Sequence, residues 1–232
     1  MNLLIALLLA FPGTRIANLP TGRTLEPGVW QVGIGHRWLS AEDNAILKGN
    51  PMNLITDANV LVSVDRGITR RLTVGAFGGN GSHAAGLRAA WAPWRWTTVH
   101  AGAWTDVIDL GLANTWTNLG LAVPWTATDR LHLVVLPRAA TNFDELVVSV
   151  GAGARAGLGN GWSLGAETEP VLLGESKLLA WNLAANKQLG WHDFTLTVGN
   201  AWHQVEPLWY ATANRDITRG HFRVGFNILR KL

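Results

Sequence analysis

From Phe222 to Leu232 the chain alternates. Phe222, Val224, Phe226, Ile228 and Leu232 fall on one parity, and Arg223, Gly225, Asn227 and Leu229 on the other. A period of two is that of a strand, here apolar on one side and mostly small or polar on the other. A strand of about eleven residues with this pattern is long enough to cross a bilayer at a tilt. The pattern recurs through the sequence. Gly28 to Leu39 sets Trp30, Val32, Ile34, His36 and Trp38 against Gln31, Gly33, Gly35 and Arg37. Glu145 to Leu158 sets Leu146, Val148 and Val150 against Ser149, Gly151, Gly153 and Arg155, and Leu179 to Leu189 sets Trp181, Leu183 and Ala185 against Asn182, Asn186 and Gln188. The segment Arg130 to Arg138 is apolar on both parities, so its orientation is left open. About twelve such segments can be placed, an even number as in single-chain bacterial barrels. Short turns such as Gly67–Arg71, Ala92–Arg95 and Gly159–Gly161 alternate with longer connections, as periplasmic turns alternate with outer loops. The expected fold class is all-β: a single antiparallel transmembrane β-barrel.

Composition narrows the alternatives. Charged residues make up 15% of the 232, against about 25% in soluble globular chains. With no cysteine, a disulfide framework and a thiol nucleophile are both excluded. A net charge of +3, scattered without a basic run, argues against a nucleic-acid partner. The 13 tryptophans point to anchoring at a membrane interface. Trp30 and Trp38 stand eight residues apart, or roughly 20 Å of height on a tilted strand, near the spacing of two aromatic girdles. Trp30, Trp38, Trp91, Trp162 and Trp181 are the expected interface anchors.

Leu3 to Phe11 is a short apolar run followed by Pro12-Gly13-Thr14, like the core of a secretory leader. Residues 1–17 are assigned to that leader, with cleavage expected after Ala10 or Ala17, and 18–232 to the barrel. The lead-in Asn18 to Pro27 reads as turn-rich. No segment reaches the ~18 uninterrupted apolar residues of a spanning helix. The partners this implies are the lipid bilayer and the outer-membrane assembly machinery, for a monomeric protein.

Three stretches carry a resemblance. Leu19-Pro-Thr-Gly-Arg-Thr-Leu25 with Gly35-His-Arg37, the hairpin Arg66 to Gly75, and the ending Phe222 to Arg230 resemble a family of uncharacterised bacterial outer-membrane β-barrel proteins. The chain departs from such barrels in ending on Leu232, where an aromatic residue is usual. The resemblance implies fold and location and transfers no catalytic residue.

The chemistry rests on the polar parity. Arg37, Arg88, Arg155 and Arg223, with Glu167 and Glu169 as the main acids, are the candidate pore-lining residues. An open lumen lined by them favours anions. The alternative is that arginines and carboxylates pair to fill a closed barrel. The inward glycines Gly33, Gly35, Gly75, Gly151, Gly153, Gly165, Gly199 and Gly225 tilt the balance slightly towards open space, with easing of strand curvature as their commoner alternative role. The seven histidines have no metal-binding spacing, and nothing calls for a metal or a cofactor. A lipid hydrolase would need Ser149 or Ser163 beside a histidine, and no nucleophile elbow is present. The expected function is a passive channel for small polar, including anionic, solutes. A closed structural or binding barrel and an outer-membrane lipid hydrolase are the alternatives.

Overall fold

The computed structural model describes residues 14–38, 58–80, 83–175, 178–201, 204, 208–211 and 222–232. The first thirteen residues of the expected leader, the connection 39–57, and His203 and His221 lie outside them.

Thirteen strands follow one another in a single antiparallel sheet. They are β1 (Trp30–Trp38), β2 (Ala58–Thr69), β3 (Leu72–Gly79), β4 (Ala84–Trp94), β5 (Thr97–Asp106), β6 (Thr115–Thr126) and β7 (Leu131–Thr141). After these come β8 (Leu146–Gly159), β9 (Trp162–Glu169), β10 (Val171–Leu173), β11 (Ala180–Leu189), β12 (His192–Gly199) and β13 (Arg223–Lys231). A single short α-helix among the described residues, α1, covers Leu208–Ala211, and one turn of 3-10 helix covers Leu112–Asn114.

Strands β2 to β9 each pair with the one before, β11 pairs with β9, β12 with β11 and β13 with β12, and β13 also pairs with β1 from Gln31↔Lys231 to Arg37↔Gly225, which closes the circle. Trp30 and Leu232 exchange both backbone hydrogen bonds, at 3.1 and 2.9 Å, at the seam. The circuit holds twelve strands, because β10 only prolongs β9 along β8. Pro170 separates the two, with no N–H for the ladder, and the pairing resumes at Val171↔Ser149. The result is a closed twelve-stranded barrel with no free edge.

Two-residue turns at Arg70–Arg71, Arg95–Trp96, Asn160–Gly161 and Gly190–Trp191 lie at one end, and the long connections at the other. Two strands run further than their turn residues suggested: β2 continues through Gly67 to Thr69, and β4 through Ala92 to Trp94. At the β8–β9 turn Asn160 and Gly161 both have positive φ (51° and 76°), the conformation that matches strand twist in a two-residue hairpin.

Side chains alternate as the period of two requires. Outward positions such as Ile34, Leu87, Leu119, Leu164, Leu183 and Leu196 are exposed. A continuous apolar outer wall of this kind is a surface for lipid rather than water. The tryptophans form an uneven belt. Trp30, Trp91, Trp94, Trp96, Trp125, Trp162 and Trp191 are all exposed around the short-turn rim, whereas Trp38 and Trp181 stand at the far end. Arg66 lies 4.9 Å over the Trp30 ring and Lys187 4.9 Å over Trp162, cations held at the rim beside the belt. Trp104, eight residues after Trp96, faces inward and is buried.

Candidate functional site

The lumen is charged and mostly paired. Arg88 on β4 meets Asp65 on β2 side-on, Nε to Oδ1 at 2.7 Å and Nη2 to Oδ2 at 2.5 Å. Arg138 on β7 grips both oxygens of Glu169, and the Ser149 hydroxyl donates to Glu169 Oε1 at 2.6 Å. Arg155 donates to Ser163 Oγ at 2.7 Å and pairs with Asp193 at 3.4 Å. Bidentate guanidinium–carboxylate contacts satisfy charges that would be costly to bury singly.

Residues 14–21 do not lead past the barrel; they fold into it. Thr14 to Thr21 forms a small hairpin, with Ile16 N–H donating to Leu19 O and Thr21 N–H to Thr14 O, both at 3.0 Å, and with Arg15 bridged to Pro20. At its tip the backbone N–H groups of Ala17, Asn18 and Leu19 donate to the Glu167 carboxylate at 3.1, 2.9 and 2.9 Å. Asn182 Nδ2 adds a further bond to the same carboxylate at 3.2 Å. Arg37 reaches Asn18 Oδ1 at 3.0 Å and Asn227 Oδ1 at 2.9 Å, and Asn227 Nδ2 donates to Ala17 O at 2.9 Å. Below the tip, Thr98 Oγ1 donates to Gly22 O at 2.5 Å, and Leu25 N–H to Thr73 Oγ1 at 2.8 Å.

From the long-loop end, α1 carries Trp209 and Tyr210 into the same space, both fully buried. They share an apolar cluster with Ile16 and Leu19 of the hairpin and with Val134, Leu136 and Val147 of the wall. Tyr210 lies 4.8 Å from the Arg138 guanidinium. What stays open among the described residues is a set of cavities reaching from the β1–β6 side round to β12 and β13. One of about 380 Å³ at the short-turn mouth is lined by Arg23, Arg70, Arg71 and Arg95, with Glu26 as its acid. A second, of about 80 Å³, shares Arg23 and adds Arg15, Arg88, Asp65 and His100. A third, of about 40 Å³, shares Arg15 and Arg88 and reaches Gln204 and Asn227.

Residues 110–232 match the family model described as a membrane bound beta barrel domain, DUF5777. The chain belongs to that family. It is also similar in fold to solved barrels. The COG4313 outer membrane channel from Pseudomonas putida F1 is 12% identical, with 90% of this chain and 97% of that chain covered at a TM-score of 0.53. The KdgM porin solved in complex with disordered oligogalacturonate is 10% identical, with 86% and 98% covered at a TM-score of 0.57. No curated protein matches the chain.

Against this DUF5777 barrel the expected site residues fall as follows. Arg37, Arg155, Glu167, Glu169 and Arg223 face inward and are buried, and Arg88 faces inward and is part-exposed. Of these, Arg37 and Glu167 converge on one object, the hairpin tip. The others do not form a ring: Arg88 turns to Asp65, Arg155 to Asp193 and Glu169 to Arg138, and Arg223 stands towards the far end opposite Gly199. Asp65, Arg138 and Asp193 are lumenal partners that sequence reasoning missed, although Asp65 and Asp193 lie on the polar parity of their strands; Arg138 lies on β7, whose two parities are both apolar. Ser149 and Ser163 bond to Glu169 and Arg155 rather than to a histidine. Among the described residues no three His, Asp or Glu side chains come together to hold a metal. Trp30, Trp91 and Trp162 are exposed on the outer wall, and Trp38 and Trp181 are half-buried there.

Proposed function

We propose that this barrel lies in a bacterial outer membrane and passes small anionic solutes passively along the side of the lumen that the hairpin leaves open. The observation that carries the reading is the run of arginines through adjoining cavities: Arg70, Arg71 and Arg95 at the mouth, Arg23 between mouth and lumen, then Arg15 and Arg88. Only Glu26 and Asp65 oppose them within those walls. A narrow, low-dielectric passage lined by one sign of charge concentrates the opposite sign. The KdgM porin, solved with an oligogalacturonate, a chain of carboxylate-bearing sugars, gives the reading indirect support. On this reading the short-turn end faces the periplasm, and the protein is not an enzyme.

A closed barrel is the second reading, favoured by the way the hairpin, Trp209 and Tyr210 fill the other side of the lumen. Reversal potentials in planar bilayers under a salt gradient separate the two. Small, stable steps reversing on the anion side uphold passage. A folded, heat-modifiable protein that stays silent leaves the closed barrel.

A further inference from the structure

Three glycines on neighbouring strands form a hollow in the wall where the hairpin tip rests. A Cβ placed on Gly151 would stand 2.5 Å from Leu19 Cδ1, and one on Gly165 2.7 Å from Ile16 Cγ2. One on Gly153 would collide with Ile16 Cδ1. Side chains at these positions would fill the space from the strands, yet here it is filled by a separate piece of chain. Beside the hollow stands Glu167, buried, its hydrogen bonds made to the hairpin backbone and to Asn182. Successive N–H groups closing on one anion make a nest, a geometry that reads peptide conformation rather than side-chain identity. Asn227 supplies the complementary donor, to Ala17 O.

We propose that the lumen contains a built binding site for a tight-turn peptide with two apolar side chains, that the chain's own residues 14–21 occupy it, and that withdrawing them widens the barrel. The occupant is tethered, not interwoven: no residue of 14–21 belongs to a barrel strand. Gly22 and Gly28, both at positive φ (80° and 82°), flank the linker that joins it to β1. The Gly28 N–H donates to Gly67 O at 2.8 Å, which fixes the tether to the barrel wall at that end. The site stands whether or not solutes pass, so its test and that of passage come apart.

The full-length double variant Ile16→Asp/Leu19→Asp places charges in the glycine hollow and empties the site without touching a strand. An N-acetylated, fluorescently labelled peptide spanning Thr14 to Thr21 is then titrated onto it in detergent, with heat-modifiability confirming the fold. Saturable binding is expected, weakened about tenfold or more by adding Glu167→Ala, in keeping with loss of charge-assisted hydrogen bonds. Absence of saturable binding, or binding indifferent to Glu167, overturns the site. In bilayers the double variant should show a several-fold larger unitary conductance than the parent, reduced again by unlabelled peptide; equal conductance overturns the widening. If neither chain conducts, peptide binding alone decides the site, and it is solute passage that fails.

Discussion

Arg88 and Asp65 pair across an intervening strand, directly over Gly75. Asp65 is opposite Gly75 in the β2–β3 ladder, and Gly75 is opposite Arg88 in the β3–β4 ladder. A side chain at that position would collide with the Asp65 carboxylate. Gly225, opposite Arg37, likewise leaves room for a long side chain, since a Cβ there would stand 2.6 Å from Arg37 Cδ. The lumenal glycines are clearances for long polar side chains and for the hairpin.

Gly75→Val should therefore part the Arg88–Asp65 pair and lower stability by about 1–3 kcal/mol, as overpacking does. Gly78→Val, whose Cβ would find its nearest atom 3.7 Å away, is the control and should shift the unfolding midpoint little. Denaturant titration of detergent-refolded protein, followed by tryptophan emission, reads both.

Removing one partner of the buried Arg138–Glu169 pair leaves the other charge stranded. Arg138→Ala or Glu169→Ala should each cost about 3–5 kcal/mol. The double variant should cost clearly less than their sum. Additive losses in the double-mutant cycle would mean that the two side chains do not depend on each other.

Charge selection should reside at the mouth. Arg23→Gln with Arg95→Gln leaves the Arg88–Asp65 pair intact while removing two cations from the wall of the mouth cavity. The reversal potential of the variant should move towards the cation side. An unchanged potential would place selection elsewhere.

The tryptophan belt is one-sided, and lipid quenchers can see it. Variants retaining only Trp125 or Trp162 should be quenched more by lipids brominated near the headgroup than by those brominated at the chain ends. Variants retaining only Trp104 or Trp209, which are buried on the lumenal side, should respond weakly to either.

Processing should leave Thr14 to Ala17 on the mature chain, because these residues carry the Ile16 contact and the Ala17 bonds to Glu167 and Asn227. We propose cleavage after Ala10 rather than Ala17. Intact-mass measurement of protein taken from membranes decides it, and a mature N-terminus at Asn18 would refute it.

Much of the barrel could be read from the sequence. Period-two alternation, held in place by lipid on one side, fixes which residues of β1, β8, β11 and β13 face out. It failed where its physical premise failed. Strand β7 looked apolar on both faces because Val134 and Leu136 point inward against Ile16, Leu19 and Trp209, so the lumen beside them is a packed core. The eight inward glycines suggested open volume, yet each borders a side chain that a Cβ would crowd. The hairpin itself left no trace, since a turn-rich segment has no period and its partner Glu167 stands about 150 residues downstream.

That separation sets an order of events in assembly. Residues 14–21 precede every strand, and although Gln31 and Arg37 on β1 also hold them, Glu167, Asn182 and Asn227 sit on β9, β11 and β13, and the Ala17–Asn227 bond spans 210 positions. Loops that long close late, after nearer contacts have formed. The wall must also be sealed between Trp30 and Leu232 before the lumen exists as an enclosed space. Among the described residues, the first to be synthesised are thus the last to find their place, and the seam must close around them.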